Sequence, residues 1–378
     1  MRGRSSAVPF IRGFLFPAIL AAIACLVPAA GTTKAQPAPA LTSEDLLAAT
    51  LKPSDIKQLL PNPEHWWPAF PQFNTGLFAP QPGERLFVIQ NYRMVDRTSN
   101  GEIENALILF DDEKSAAAAF KYLVDADAAK VKVLSGPQIG NESRYSSRFE
   151  EGEQLPHVDT VRFRTGSITG RFTMKSQGEA AKPEDLARYA QPIIEKADAL
   201  LKGSVRAAPI ASEIAGRMPH AFSPVDRNLG TAVISIDSWA LDDTAKNPPA
   251  VRDRLLKLGA GDLGFSRFTL RGEPSQVIDV VLFSFPNEES ASEWVKGFMD
   301  EKETGKLLPA GKTGSLSKFV NHPVPEEEAG FGSLYDLQFA RGRYAGDVAC
   351  FSPYGETSSA CEDAVRRFAE AWYEELGK

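Results

Sequence analysis

Histidine and cysteine are scarce in this 378-residue chain, four of the first and three of the second. His65, His157, His220 and His322 lie far apart, none at the helical spacing of a ligand pair, and no His-Glu-x-x-His occurs. No Gly-x-Ser-x-Gly elbow occurs either. Gly166-Ser-Ile-Thr-Gly170 puts its serine one place early and inside a hairpin pattern. Gly259-Ala-Gly-Asp-Leu-Gly264 spells the dinucleotide fingerprint, but a helical stretch precedes it and a strand-like stretch follows. A pyrophosphate site needs the reverse order, so the segment reads as a helix stop and a turn. The acidic groups Asp237, Asp242, Asp243 and Glu326-Glu327-Glu328 lack the alternating ligands and central glycine of a calcium loop. No catalytic residue, metal ligand or cofactor is implied. Basic excess is missing as well: the net charge is −7, which disfavours nucleic acid as a partner.

The N-terminus carries a recognisable signal. Arg2, Arg4 and Arg12 precede an apolar stretch from Phe14 to about Ala30, and small residues follow. This is the layout of a secretory signal peptide, too short for a comfortable membrane span. Residues 1–35 are read as that signal and 36–41 as a flexible spacer. Cleavage, lipidation at Cys25 after Ala22-Ile-Ala24, and an uncleaved anchor all remain open, and only the last two would tie the chain to a membrane. Without residues 1–35, which hold four bases and no acid, 38 bases face 49 acids, a balance of −11. Each alternative sends the body of the protein out of the cytoplasm, to a periplasmic, cell-surface or secreted location.

The body repeats itself. Ile103 to Phe110 leads into Ser115-Ala-Ala-Ala-Ala-Phe-Lys; 175 positions later, Ile278 to Phe285 leads into Ser290-Ala-Ser-Glu-Trp-Val-Lys. Both runs read as a strand, a polar turn and an amphipathic helix. Ala116, Ala119, Phe120 and Leu123 in the first, and Ala291, Trp294, Val295 and Phe298 in the second, form the core-facing stripe. Val161 to Gly170 matches Leu337 to Gly346 at an offset of 176, each a hairpin turning at a glycine, and each copy closes with a helix. The expected fold is α+β: two tandem antiparallel-sheet modules with helices packed on one face. The modules span 42–203 and 250–378, and proline-broken 204–249 reads as a linker. A Leu-rich helix is expected before each copy, Asp55-Ile56 matching Asp262-Leu263.

The strand-to-Ser-Ala helix, Gly140-Asn-Glu-Ser143 and Phe163-Arg-Thr-Gly166 together resemble modules of exported bacterial proteins and lipoproteins of unknown function. More distantly, the chain is similar to the extracellular sensor domains of actinobacterial Ser/Thr kinases. The resemblance covers most of 42–203 and, less cleanly, 250–376, and the second copy has no Gly-Asn-Glu-Ser. It implies an α+β fold braced by a disulfide and carries over no catalytic residue.

Two features break the symmetry. Cys350 and Cys361 form an even pair in a chain bound for an oxidising compartment, so a bracing disulfide is expected, worth on the order of 2–3 kcal/mol. The first copy holds an insertion of roughly 25–30 residues, and inserts in repeats map to loops. It contains Pro61-Asn-Pro-Glu-His-Trp-Trp-Pro-Ala-Phe-Pro-Gln-Phe73. Trp66, Trp67, Phe70 and Phe73 can fill the module's own core or the seam between modules; alternatively they offer a stacking platform, with Glu64 and His65 as a polar handle. The balance favours a binding or interaction module without catalytic activity, its ligand or protein partner unidentified. A hydrolase of envelope material with a dispersed site is the alternative, and a purely structural subunit is the third reading.

Overall fold

The computed structural model describes residues 40–73, 81–95, 101–207, 213–219, 225–242, 248–271, 273–300, 306–323, 331–353 and 359–378. The signal, its cleavage sites and Cys25 lie outside them. The first module comprises α1 (Ser43–Ala48), α2 (Pro53–Leu59), β1 (Trp66–Pro68), β2 (Gln72–Phe73), β3 (Glu84–Met94), β4 (Gly101–Phe110), α3 (Glu113–Ala128), β5 (Lys132–Leu134), β6 (Glu142–Phe149), β7 (His157–Thr165), β8 (Ile168–Ser176) and α4 (Pro183–Leu201). The second comprises β9 (Val225–Ile234), α5 (Ile236–Asp242), α6 (Pro248–Lys257), β10 (Leu263–Leu270), β11 (Glu273–Ser284), α7 (Glu288–Asp300), β12 (Lys306–Leu308), β13 (Ser317–Pro323), β14 (Phe331–Arg341), β15 (Tyr344–Pro353) and α8 (Ser359–Leu376).

The chain is α+β, and its two sheets repeat one strand order. The first runs β1-β3-β4-β8-β7-β6-β5, with β2 also on β3; the second, read from the corresponding edge, runs β9-β10-β11-β15-β14-β13-β12. Every pairing is antiparallel, because short turns and hairpins join neighbours. The matched hairpins share one packing device. Gly166 and Gly342 take φ of +51° and +54° at the turns. A few residues on, a Cβ on Gly170 would lie 2.1 Å from the Phe163 ring, and one on Gly346 would lie 2.4 Å from the Phe339 ring. Each glycine leaves room for the phenylalanine opposite it on the neighbouring strand.

Helices lie on both faces rather than one. Residues alternate faces along a strand, and on β4 Ile103, Leu107 and Leu109 join the core beneath α4, whereas Ile108 and Phe110 join Ala116 and Ala119 of α3. Asp127 of α3 meets Arg162, while Asp198 of α4 meets Thr165, three residues along the same strand and on its other side. The second module repeats the arrangement. Ile278, Val280 and Leu282 pack with α8, and Val277, Val281 and Phe283 share a cluster with Trp294 of α7. Cys350 on β15 and Cys361 on α8 are joined by a disulfide, both fully buried, with Cα atoms 5.7 Å apart. Ala116, Ala119, Phe120, Ala291, Trp294 and Val295 are buried as the stripe requires, and Leu123 is half-buried.

The modules differ at one edge. In the second, the edge strand β9 comes before the helices α5 and α6; in the first, β1 and β2 come after α1 and α2. The 204–249 stretch, expected as a linker, therefore holds β9, paired along β10, and α5. Proline punctuation there marks turns between elements, not an unstructured connection. The expected match of Asp55-Ile56 with Asp262-Leu263 fails for the same reason: the first pair lies inside α2 and the second at the start of β10.

Candidate functional site

The aromatic insertion builds the join between the modules. A 3-10 turn at Pro63–His65 precedes β1, which pairs Trp66 with Met94 and Trp67 with Arg93. The four rings are 0–9% exposed. Trp66 turns into its own module, against Gly101, where a Cβ would lie 2.8 Å from the indole. The other three reach the second module. Arg252 of α6 stacks over Trp67 at 5.5 Å while its Nε donates to Asp237 at 2.7 Å. Phe70 meets Phe265 at 4.9 Å and Trp239 at 5.9 Å between centroids. Phe73 lies 6.3 Å from Phe265 and occupies the space beside Gly230, where a Cβ would come 2.5 Å from its ring. One continuous cluster thus runs from α4 through the insertion to Phe283 and Trp294.

His65 and Glu64 sit at the rim, 39% and 67% exposed and 3.9 Å apart. The rings they were expected to serve face inward against protein atoms, so no open stacking platform exists at Trp66, Trp67, Phe70 and Phe73. Prolines make the segment stiff, and that stiffness lowers the entropy lost in docking it on the neighbouring module.

No family model and no curated protein matches the chain. Among solved structures, the crystal structure of the extracellular domain of PknH from Mycobacterium tuberculosis is similar, with a TM-score of 0.34 and 11% identity. The match covers 43% of this chain and 97% of that one. At that identity and score nothing is carried from that domain to this chain.

A second join uses polar groups. Thr42 and Asp45 form a reciprocal cap on α1. Asp45 also accepts from the Ala207 N–H at 2.8 Å and from Arg206 at 3.2 Å, and Glu44 accepts from the Thr231 N–H on β9 at 2.9 Å. Burial works to raise the Asp45 pKa, but the Ala207 and Thr42 amides and the Arg206 guanidinium outweigh it and hold the carboxyl below its ordinary value.

Between α1 and α2 the chain is knotted to the sheet through one residue. Leu51 donates its N–H to Asn105 Oδ1 at 2.9 Å and accepts from the Tyr92 hydroxyl at 2.9 Å, while Asn105 Nδ2 donates to the Gln90 carbonyl at 2.7 Å. Lys196 of α4 bonds Asp55 and the Thr50 carbonyl. Lys52 Nζ donates to the Leu47 carbonyl at 3.0 Å. Burial lowers the Lys52 pKa to about 8, Lys196 adding to the effect and Asp55 opposing it. The one sequence signal for this knot is Asn105, a polar residue on the face of β4 that Ile103, Leu107 and Leu109 give to the core.

The same sheet face has opposite fates in the two copies. On the α3 side of the first sheet, Arg171, Arg162 and Arg144 stand side by side on β8, β7 and β6. At the matching places of the second sheet stand Asp347, Gln338 and Lys318, followed by Val281 and Phe265. Phe265 is the ring that meets Phe70 and Phe73, so the β10 end of this face forms the seam, while α7 packs over its β13–β15 end. Gln338 and Asp347 are buried and bonded to each other at 2.8 Å. In the first copy Arg144 is exposed and Arg171 is one-third exposed.

Proposed function

We propose that this chain acts outside the cytoplasm as a non-catalytic binding module, with the second copy serving as the rigid support of the first. One observation carries the reading: a sheet face duplicated in the chain is covered in the second copy, by the seam at β10 and by α7 over β13–β15, while in the first copy it leaves Arg144 exposed and Arg171 one-third exposed. Export is supported by the signal-like residues 1–35 and by the Cys350–Cys361 disulfide, a bond that persists in oxidising compartments. Among the described residues no helix is long and apolar enough to cross a membrane. Attachment, in this reading, comes only through the N-terminus.

The test is native mass spectrometry of the protein purified from its own export compartment, run beside hydrolase probes and a panel of ester, peptide and glycan substrates. A retained ligand or partner released on unfolding, with no turnover, is the expected result. Turnover of any substrate by the purified chain overturns the non-catalytic reading.

A further inference from the structure

The charged rows on the α3 side of the first sheet have an order that cross-strand register alone imposes. Thr173 of β8 opposes Thr160 of β7, their hydroxyls 3.0 Å apart, and Ser146 of β6 opposes Thr160 from the other side. These three short side chains form a stripe across three strands. Two residues along each strand on one side stands the arginine row of Arg171, Arg162 and Arg144; two residues along on the other stand Lys175 and Arg148, flanking Val158. Short hydroxyls between long cations make a trough. Its walls stand about 7 Å to either side of the stripe; the arginines of one wall are spaced by the strand separation of about 4.8 Å, and Lys175 and Arg148 of the other, with Val158 between them, by about twice that.

Acids at the margin hold these cations in place. Asp127 takes Nε and Nη2 of Arg162 at 2.8 and 2.5 Å, Glu104 takes Arg171, Glu102 takes Lys175 at 3.2 Å, and Glu150 takes Arg148 at 2.8 Å. A guanidinium fixed through two of its N–H groups keeps others to offer a ligand. Arg144 has no acidic partner among the described residues. The second copy has dismantled the trough: Ala349 and Asp336 stand where Thr173 and Thr160 do, and Asp347 and Gln338 where Arg171 and Arg162 do.

We propose that this trough binds an acidic polysaccharide, its hydroxyls on the partly exposed Thr160 and Ser146 and its anionic groups on Arg144 and Arg171, while Thr173 and Arg162, 6% and 14% exposed, brace the floor and the row from beneath. The proposal rests on the binding-module reading and names its ligand class. Hydroxyl floor and cationic walls match a chain that carries both hydroxyls and closely spaced carboxylates or sulfates. None of these trough residues is aromatic, so no ring is there for a base to stack on, which tells against a single-stranded nucleic acid.

The experiment titrates the full mature chain at physiological salt with polygalacturonate, dextran sulfate, neutral dextran and a single-stranded oligonucleotide, by calorimetry. Binding of one or both acidic polysaccharides is expected, the carboxylate and sulfate arms separating the two anion types. Neutral dextran and the oligonucleotide should not bind. The double variant Arg144→Gln/Arg148→Gln should weaken the polysaccharide by about ten-fold or more with the melting temperature unchanged. Arg367→Gln/Lys378→Gln, which removes the same charge elsewhere on the surface, should bind as the parent does. Failure of both acidic polysaccharides to bind, equal or tighter binding of the oligonucleotide, or equal loss in the two double variants overturns the assignment. A neutral ligand found by native mass spectrometry would sink this inference and leave the binding-module reading standing; turnover would sink that reading instead.

Discussion

Phe73→Ala removes a ring that is fully buried and belongs to one module while packing against the other. Truncating a buried phenylalanine costs about 3–5 kcal/mol, and loss of its stacked contact with Phe265 adds about 0.5–1.5 kcal/mol. That cost falls on the seam, since Gly230 and Phe265 both lie in the second module. The expected outcome in urea is therefore a change of form as well as of midpoint. The parent loses hydrogen-exchange protection in β7–β8 and in β14–β15 together, whereas the variant loses them at separate urea concentrations. Gly230→Ala should do comparable damage from the other side, because its Cβ would lie 2.5 Å from the same ring. In the Phe73→Ala background the added methyl enters vacated space and becomes nearly neutral, so the double-mutant cycle should show coupling of at least about 1 kcal/mol. Single-variant losses below about 1 kcal/mol, or additive ones, would refute the seam as the source of intermodule rigidity.

Trp66→Ala and Trp67→Ala should each lower the melting temperature, Trp66 more, because it fills its own module's core; an unchanged melting curve with lost ligand binding would restore the exposed-platform reading. Lys52 has a folded pKa of about 8 against 10.5 ordinarily, so between those values the unfolded chain binds more protons and stability rises with pH. Lys52→Met should therefore gain on the order of 1–2 kcal/mol over the parent at pH 7 and lose that advantage by pH 10.5, as read by urea unfolding. Asn105→Leu leaves the Leu51 N–H and the Gln90 carbonyl without their partner in a buried site and should cost about 2–4 kcal/mol by calorimetry. Reduction of Cys350–Cys361, or Cys361→Ser, should cost about 2–3 kcal/mol without releasing bound ligand, since α8 braces the second sheet and the trough lies on the first.

Much of this molecule was legible from residues alone, for a physical reason. Strand and helix periodicities are local, and a hairpin needs its glycines at fixed places, so the Phe163–Gly170 and Phe339–Gly346 blocks announce one module written twice. The cysteine pair was legible too, because only two cysteines remain beyond the signal. The aromatic insertion was visible as a departure, but its direction was not: Trp67, Phe70 and Phe73 have the same local pattern whether they meet solvent or Phe265. That choice depends on a second module more than 150 residues away.

The edge strands show the same divide more sharply. β9 lies in proline-broken sequence and is a strand because β10 offers it an open edge, while the first sheet fills that place with β1 and β2 from the far side of two helices. The sequence by itself determined that there are two modules, of α+β type, with a disulfide in the second. Tertiary structure alone decided which sheet edge each segment takes, that α3 and α4 lie on opposite faces, and which residues stand beside one another across strands. Periodicity assigns a side chain to a face; only long-range pairing gives it neighbours, and the trough of Thr160, Arg162 and Arg144 exists solely as such neighbours.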